Sequence, residues 1–154
     1  MRNALILVAA LGFAGTAAAA DIGLIKVSKG SVQIQRGSEK MPAKVGSALQ
    51  KSDVVITGAD SSAGITFTDN SLVSVGPNSV FAIDKYSFDS TTHAGEFEGN
   101  LRQGRLAAVS GKMVKQSPDS MKIRTPSAIM GVRGTEFVVE VAGTKKNCRS
   151  GKTG

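Results

Sequence analysis

The sequence predicts an all-β fold: one compact domain of short strands, with a β-solenoid-like or a sandwich-like arrangement. Apolar and polar residues alternate with period two in several runs, which places one set of side chains in a core and the other in water. Turn-forming pairs such as Lys29-Gly30 and Asp69-Asn70 separate the runs at spacings of about ten residues, as in β domains. No long segment has the apolar period of a helix. The predicted strands are Val32–Gln35, Ile65–Thr68, Val73–Val75, Phe81–Asp84, Met121–Arg124 and Phe137–Val141.

The first 20 residues have the organisation of a cleavable secretory signal. Arg2 supplies a positive start, residues 4–14 form an uncharged apolar run, and Ala18-Ala19-Ala20 offers the small side chains that a signal peptidase accepts. The run is shorter than the roughly 20 apolar residues that a membrane-spanning helix needs. We therefore expect an exported protein that begins at Asp21 and keeps no integral membrane segment after processing. Its location would be the periplasm or, alternatively, the extracellular space.

A weak eight-residue repeat runs through residues 64–84. Apolar residues recur at matching places around Ile65, Val73 and Phe81, and each unit ends in a turn. Stacked turns of a solenoid would give this spacing. A β-meander would give it equally well.

The chain divides into the signal (1–20), one β domain (21–142) and a basic, flexible C-terminal tail (143–154). The tail lacks alternation and is rich in Lys, Gly and polar residues. It carries Cys148, the only cysteine, so no disulfide can form within the chain. Cys148 is either an unpaired thiol or the site of an intermolecular disulfide.

Charge is distributed unevenly along the chain, whose formal net charge is +7. Residues 21–51 carry six Lys/Arg and two acids, residues 53–98 one Lys and seven acids, and residues 102–154 eleven Lys/Arg and three acids. The acidic middle could pair with the basic flanks, or the flanks could face anionic envelope polymers such as lipopolysaccharide or peptidoglycan. Nucleic acid is not expected as a partner, because the basic residues are dispersed and aromatic residues are few.

Residues for catalysis or metal binding are scarce. His93 is the only histidine and lies in a polar loop, so neither a Ser/His/Asp arrangement nor a zinc site can be assembled from sequence neighbours. The sequence therefore predicts a protein that is not an enzyme, with no metal and no cofactor.

The segment from Thr125 to Val139, Thr-Pro-Ser-Ala-Ile-Met-Gly-Val-Arg-Gly-Thr-Glu-Phe-Val-Val, resembles the C-terminal signature of the FecR domain family. Gly30-Ser31-Val32, the blocks 53–58 and 61–71, and Gly76-Pro77-Asn78-Ser79 resemble the family's upstream motifs, so the resemblance covers about residues 26–141. Ser52 and Asn70 stand where the family usually has Gly. Because Asn tolerates positive φ, we expect the turn at Asn70 to be kept.

The resemblance implies an extracytoplasmic β-module without the membrane-spanning and anti-sigma segments of the family's namesake regulators. The signature positions are expected to be structural: Thr125, Pro126, Gly131, Arg133, Gly134 and Thr135. Pro126 should end the strand before it, and the two glycines should allow a tight turn or the close approach of another strand. Arg133 either pins these turns from inside, at least half buried, or captures an anion at the surface; the internal pin is the favoured interpretation.

Three residues are candidates for binding: Arg133, Tyr86 and Phe88. Tyr86 and Phe88 belong to a group of aromatic residues near an acidic loop; core packing explains most of this group, and those that are exposed would contact a partner or a sugar. Together these features predict a non-catalytic, extracytoplasmic binding or signalling module that contacts another envelope protein. The alternative is a structural protein that binds glycans or surface polymers through its basic flanks.

Overall fold

The computed structural model describes residues 20–134 and 136–142, and it contains twelve strands and one short helix in these ranges. Residues 1–19 of the predicted signal, Thr135 and the tail with Cys148 lie outside the described residues. The all-β prediction is confirmed. In chain order the elements are β1 Gly23–Lys29, β2 Val32–Arg36, β3 Glu39–Pro42, β4 Ala48–Leu49, β5 Val54–Thr57, β6 Ser62–Phe67, β7 Leu72–Val75, β8 Val80–Phe88, β9 Gly95–Val109, α1 Lys112–Gln116, β10 Met121–Arg124, β11 Ile129–Gly131 and β12 Glu136–Val141.

The strands form one curled sheet whose main path is β3-β2-β5-β8-β9-β7-β6-β1-β4. All pairings are antiparallel except that of β10 with β9, which is parallel. β6 and β7 form an antiparallel hairpin, but β8 pairs with β5 and β9 and not with β7, so the three units of the eight-residue repeat form neither solenoid coils nor a complete meander.

The long strand β9 joins the two halves of the sheet. Its first part pairs with β8 and β10, and its last part pairs with β7 and β12. Between them lies Gly104, whose φ is +95° and whose position has no room for a side chain, since a Cβ would lie 2.0 Å from Ser79 Oγ. Only glycine fits both the positive φ and this close approach, so Gly104 permits the bend of β9.

The curled halves enclose one hydrophobic core. Phe67 of β6 contacts Phe97 of β9 edge-on, with ring centroids 4.9 Å apart, and stacks on Tyr86 of β8 at 5.3 Å. Alternate residues of β2, β5, β6, β7 and β10 enter this core, as a period-two pattern requires. Burying each large apolar side chain stabilises the fold by roughly 1.5–3 kcal/mol.

Seven elements have no counterpart in the sequence prediction: β1, β3, β4, β5, β9, β11 and the short helix α1. After β9 ends at Val109, residues Lys112–Gln116 form a single helical turn that buries Met113 and Val114. A single turn is too short to show an apolar period of 3.6, which is why the pattern gives no sign of it.

Candidate functional site

The acidic middle of the chain is tied to the basic flanks by two partly buried ion pairs. Asp53 is fully buried and accepts hydrogen bonds from Arg36 Nε (2.9 Å), Arg36 Nη2 (2.7 Å) and the backbone N–H of Gln50 (2.9 Å). The hydrogen bond to Asp53 raises the pKa of Arg36, so this guanidinium stays charged. Glu98, also buried, pairs with Arg124 and with Lys85. Internal pairing therefore accounts for part of the charge pattern.

The two turns at which Ser52 and Asn70 replace the usual glycine have a backbone with positive φ, which glycine adopts readily. Ser52 has φ of 69° and Asn70 φ of 67°, so the prediction that Asn70 keeps its turn is confirmed. The adjoining Asp69 and Ser71 are buried: Ser71 N donates to Asp69 Oδ1 at 3.0 Å, and Ser71 Oγ donates to Asp69 Oδ2 at 2.6 Å. Ser71 Oγ in turn accepts from Gly111 N at 3.0 Å, which ties this turn to the start of α1.

Tyr86 is buried, with 4 % of its surface exposed, so its prediction as a surface binding residue is wrong. A register shift between Ile83 and Lys85 breaks the alternation of β8 and turns Tyr86 into the core. Its hydroxyl lies 2.7 Å from Thr68 Oγ1 and accepts from Asp69 N at 3.2 Å. Burial raises the pKa of Tyr86 to about 12, against a smaller lowering by the Thr68 contact.

Phe88 keeps partial exposure at the end of β8, so it stays a candidate for contact. Its ring stacks on His93 at 6.1 Å and packs partly against the core. The loop that holds His93 is fixed by Asp89, which accepts from the backbone N–H groups of Thr91 (2.8 Å) and Thr92 (3.1 Å). The hydrogen bonds from Thr92 and Thr91 lower the pKa of Asp89.

Arg133 lies at the surface, and the prediction that it is at least half buried is wrong. Its side chain is 71 % exposed, and Nε donates to Asp119, also exposed, at 3.0 Å. The reason is that Val132 takes the inward position, 1 % exposed, with its N–H bonded to Met121 O at 2.9 Å. Val132 therefore anchors this part of the signature, and the signal available in the sequence was an apolar residue beside Arg133 between the two glycines.

The remaining signature positions divide between turn and surface. β10 ends at Arg124, before Thr125 and Pro126, as predicted. Gly134 has φ of +110° and makes the predicted turn, whereas Gly131 lies within β11, without positive φ and with open space around it. The tight turn expected at Gly131 is therefore absent.

The signature borders an open groove of about 610 Å³, which we call the signature groove. One wall is the turn from Thr125 to Ala128, closed by the Thr125 N–H donating to Ala128 O at 2.8 Å. The other wall is the end of β12. The groove residues are Arg102, Gln103, Thr125, Pro126, Ser127, Ala128, Met130, Val139, Glu140, Val141 and Ala142.

The groove lies where the sheet splits. On one side of β9, β10 pairs as far as Asn100 and β12 begins to pair at Gly104, so residues 101–103 have no strand on that side among the described residues. β11 and β12 each have a single partner strand among the described residues, so each has a free edge, and Met130 of β11 and residues 139–141 of β12 line the groove. Unpaired strand edges accept an added strand from another chain.

The described ranges contain no group of three or more His, Cys, Asp or Glu residues arranged to hold a metal ion. Nor is any helix within residues 20–134 and 136–142 of the length and hydrophobicity required to cross a membrane.

Comparison with known proteins gives one match. A family model described as FecR protein matches residues 53–152, which is more than half of the chain. The matched region includes the signature but begins after Gly30-Ser31-Val32, so it does not extend to the most N-terminal part of the resemblance. No curated protein and no solved structure matches the chain.

Proposed function

The chain belongs to the FecR family, and we propose that it is a non-catalytic, extracytoplasmic binding and signalling module. Members of this family are associated with envelope signalling and are generally not enzymes. This module contacts another envelope protein through the signature groove. The observation that carries this proposal is the split in the sheet beside the signature turn, where β9, β11 and β12 all present unpaired backbone.

The chemistry of the groove suits an extended protein segment. Pro126, Met130 and Val139 supply apolar contact, while Gln103 and Ser127 supply hydrogen-bonding groups. Arg102 is exposed and forms no ion pair or side-chain hydrogen bond within the described ranges, so it can receive an acidic side chain of the partner. Backbone pairing gives affinity in such complexes, and the alternate side-chain pockets give specificity.

Two groove variants with matched controls test the proposal. Arg102→Glu reverses the charge of the groove, and Ser127→Trp fills it; both residues are exposed, so the fold should be kept. Lys44→Glu and Ser90→Trp make the same changes at exposed positions outside the groove. We expect the protein partner that co-purifies with the wild type to be lost from the groove variants and kept by the controls. Equal recovery with all four variants would refute the groove as the contact.

A second candidate function is binding of an anionic envelope polymer. Lys112, Lys115 and Lys122 are exposed and have no ion pair among the residues that the structure describes, so they offer charge to such a polymer. Co-sedimentation with purified peptidoglycan or lipopolysaccharide, weakening steeply as salt is raised, would support this function. Absence of co-sedimentation at low salt would exclude it.

A further inference from the structure

The sheet half formed by β1, β6, β7, β9 and β12 exposes an apolar outer face, opposite to the face that lines the core. Seven large apolar side chains are exposed in the described residues, and five of them lie here. The other two are Val45 and Ile129. The five are Leu24 (38 % exposed), Val27 (53 %), Leu72 (48 %), Val109 (38 %) and Val138 (59 %). Exposed apolar side chains grouped in this way mark an interaction surface.

Strand register arranges these residues in two rows across the sheet, since residues directly opposite one another point to the same face. The first row, in strand order, is Leu24, Thr66, Leu72, Val109 and Glu136. The second is Val27, Gly64, Ser74, Ala107 and Val138. A β-bulge between Ile25 and Val27 brings Val27 to this face. Small residues fill the middle of the second row, so no large side chain there holds a second sheet away.

Apart from Arg105 of β9, the charged residues on the outer face stand on its two border strands and have opposite signs on the two sides. β1 carries Lys26 and Lys29, and β12 at the other side carries Glu136 and Glu140. Glu140 also pairs with Arg105 of β9, but both side chains of this pair are more than half exposed. The outer face therefore has a positive edge, an apolar centre and a negative edge.

This arrangement is complementary to itself. A two-fold axis parallel to the strands, placed over the central strand β7, lays β1 of one copy over β12 of the other. Lys29 then meets Glu140, Val27 meets Val138, and Glu136 meets Leu24, with Lys26 in the adjoining bulge of β1. A two-fold axis perpendicular to the strands would instead place β1 over β1 and bring like charges together, which is unfavourable.

The area of the outer face suits a weak dimer. Five strands spaced about 4.8 Å apart, over about six residues of about 3.4 Å each, cover roughly 500 Å². Two copies would thus bury about 1,000 Å², which is at the lower end for specific interfaces. Sheets packed face to face at about 10 Å in this way form the core of β-sandwiches.

We infer that the outer face binds the outer face of a second copy of this chain, forming a two-fold symmetric, sandwich-like dimer with a dissociation constant in the micromolar range. Residues 143–154 contain no large apolar side chain that could cover the face instead. The inference is independent of the proposed function, because the outer face and the signature groove share only Glu140.

Sedimentation velocity across the micromolar range tests the dimer, with the protein expressed from the complete coding sequence and purified in the form that the cell produces. Val138→Asp places a carboxylate in the interface twice and should raise the dissociation constant at least about tenfold. Ile129→Asp is the matched control, since Ile129 is equally exposed (60 %) but lies on β11 in the other half of the sheet. A wild type that stays monomeric at every concentration, or equal effects of the two variants, would overturn the inference.

Reversing the charges at positions 29 and 140 tests the direction of the two-fold axis, with two variants rather than one. Lys29→Glu and Glu140→Lys each place like charges together in their own homodimers, so each alone should dimerise several-fold more weakly. Mixed together, they should form a heterodimer in which both edge contacts join opposite charges. Failure of the mixture to exceed either variant alone would overturn the proposed geometry. Intact-mass measurement shows whether the purified protein retains residues 1–20. A monomer that retains them would indicate that this apolar segment covers the outer face, and it would likewise overturn the dimer.

Discussion

Raising the pH should deprotonate the buried hydroxyl of Tyr86, and this ionisation can be observed directly. Tyr86 is the only tyrosine in the chain, and there is no tryptophan, so the absorbance of tyrosinate reports on this one residue. Burial among Phe67 and Phe97 opposes the charged form and raises the pKa of Tyr86 to about 12 from an ordinary value of 10.0. The expected titration in the folded protein therefore lies about two pH units above that of an exposed tyrosine.

The same shift sets a dependence of stability on pH. The pKa is raised in the folded state, so the unfolded chain loses the proton first, and stability that is complete below pH 10 is lost as the pH rises towards 12. One pKa unit corresponds to about 1.4 kcal/mol, so the loss reaches about 2–3 kcal/mol. Tyr86→Phe cannot ionise and should lack this part of the loss. At neutral pH it should be destabilised by about 1–2 kcal/mol, because Asp69 N and Thr68 Oγ1 lose a partner.

The assay combines tyrosinate absorbance with far-ultraviolet circular dichroism on the same samples. We expect the tyrosinate absorbance to reach its midpoint at a pH well above that of the protein in concentrated denaturant. The rise in absorbance should occur either in the folded state or together with unfolding. Tyrosinate formation near pH 10 while the circular dichroism is unchanged would refute the burial of the Tyr86 hydroxyl. Denaturation curves of wild type and Tyr86→Phe at several pH values would give the linked stability difference.

Four further predictions follow from the described contacts and from the sequence. Arg36→Ala leaves the buried carboxylate of Asp53 without its ion-pair partner and should cost about 3–5 kcal/mol in chemical denaturation; a loss below about 1 kcal/mol would show that Asp53 is solvated. Arg133→Ala and Arg133→Lys should each change the free energy of unfolding by less than about 1 kcal/mol, since the pair with Asp119 is exposed. A large loss of stability in both variants would instead show that Arg133 holds the turns from inside. Intact-mass measurement of the exported protein should give Asp21 as the first residue, and retention of residues 1–20 would contradict the signal. Deletion of residues 145–154 should leave the thermal midpoint within a few degrees of wild type, whereas a larger drop would show that the tail packs.

Period-two alternation predicted six of the twelve described strands: β2, β6, β7, β8, β10 and β12. Met121–Arg124 is a strand with the predicted bounds, and the residues that alternate inward in Ile65–Phe67 and Val73–Val75 are buried. Alternation is a local property, so it can be read from a few consecutive residues. It does not give the pairing order, and the curled sheet joined by β9 follows from contacts distant in sequence.

The errors arose where a local irregularity changes which way a side chain points. Strict alternation from Phe81 and Ile83 would place Tyr86 on the outside of β8, but the register shift after Ile83 turns it inward. Arg133 was expected inside, yet Val132 takes that position. The pair of Arg36 with Asp53 also escaped prediction, because only the register of β2 with β5 brings these residues together. The charge pattern indicated that the flanks and the middle could pair, without saying which residues would.

Site-specific photo-crosslinking in intact cells tests the central claim, that the signature groove binds a protein partner. A photoreactive residue at Ser127 lies in the groove, and the same residue at Ser90 lies on an exposed loop outside it. We expect one discrete protein adduct from position 127, the loss of this adduct when Arg102→Glu is added, and no such adduct from position 90. No protein adduct at position 127, or the same adducts at both positions, would contradict the claim.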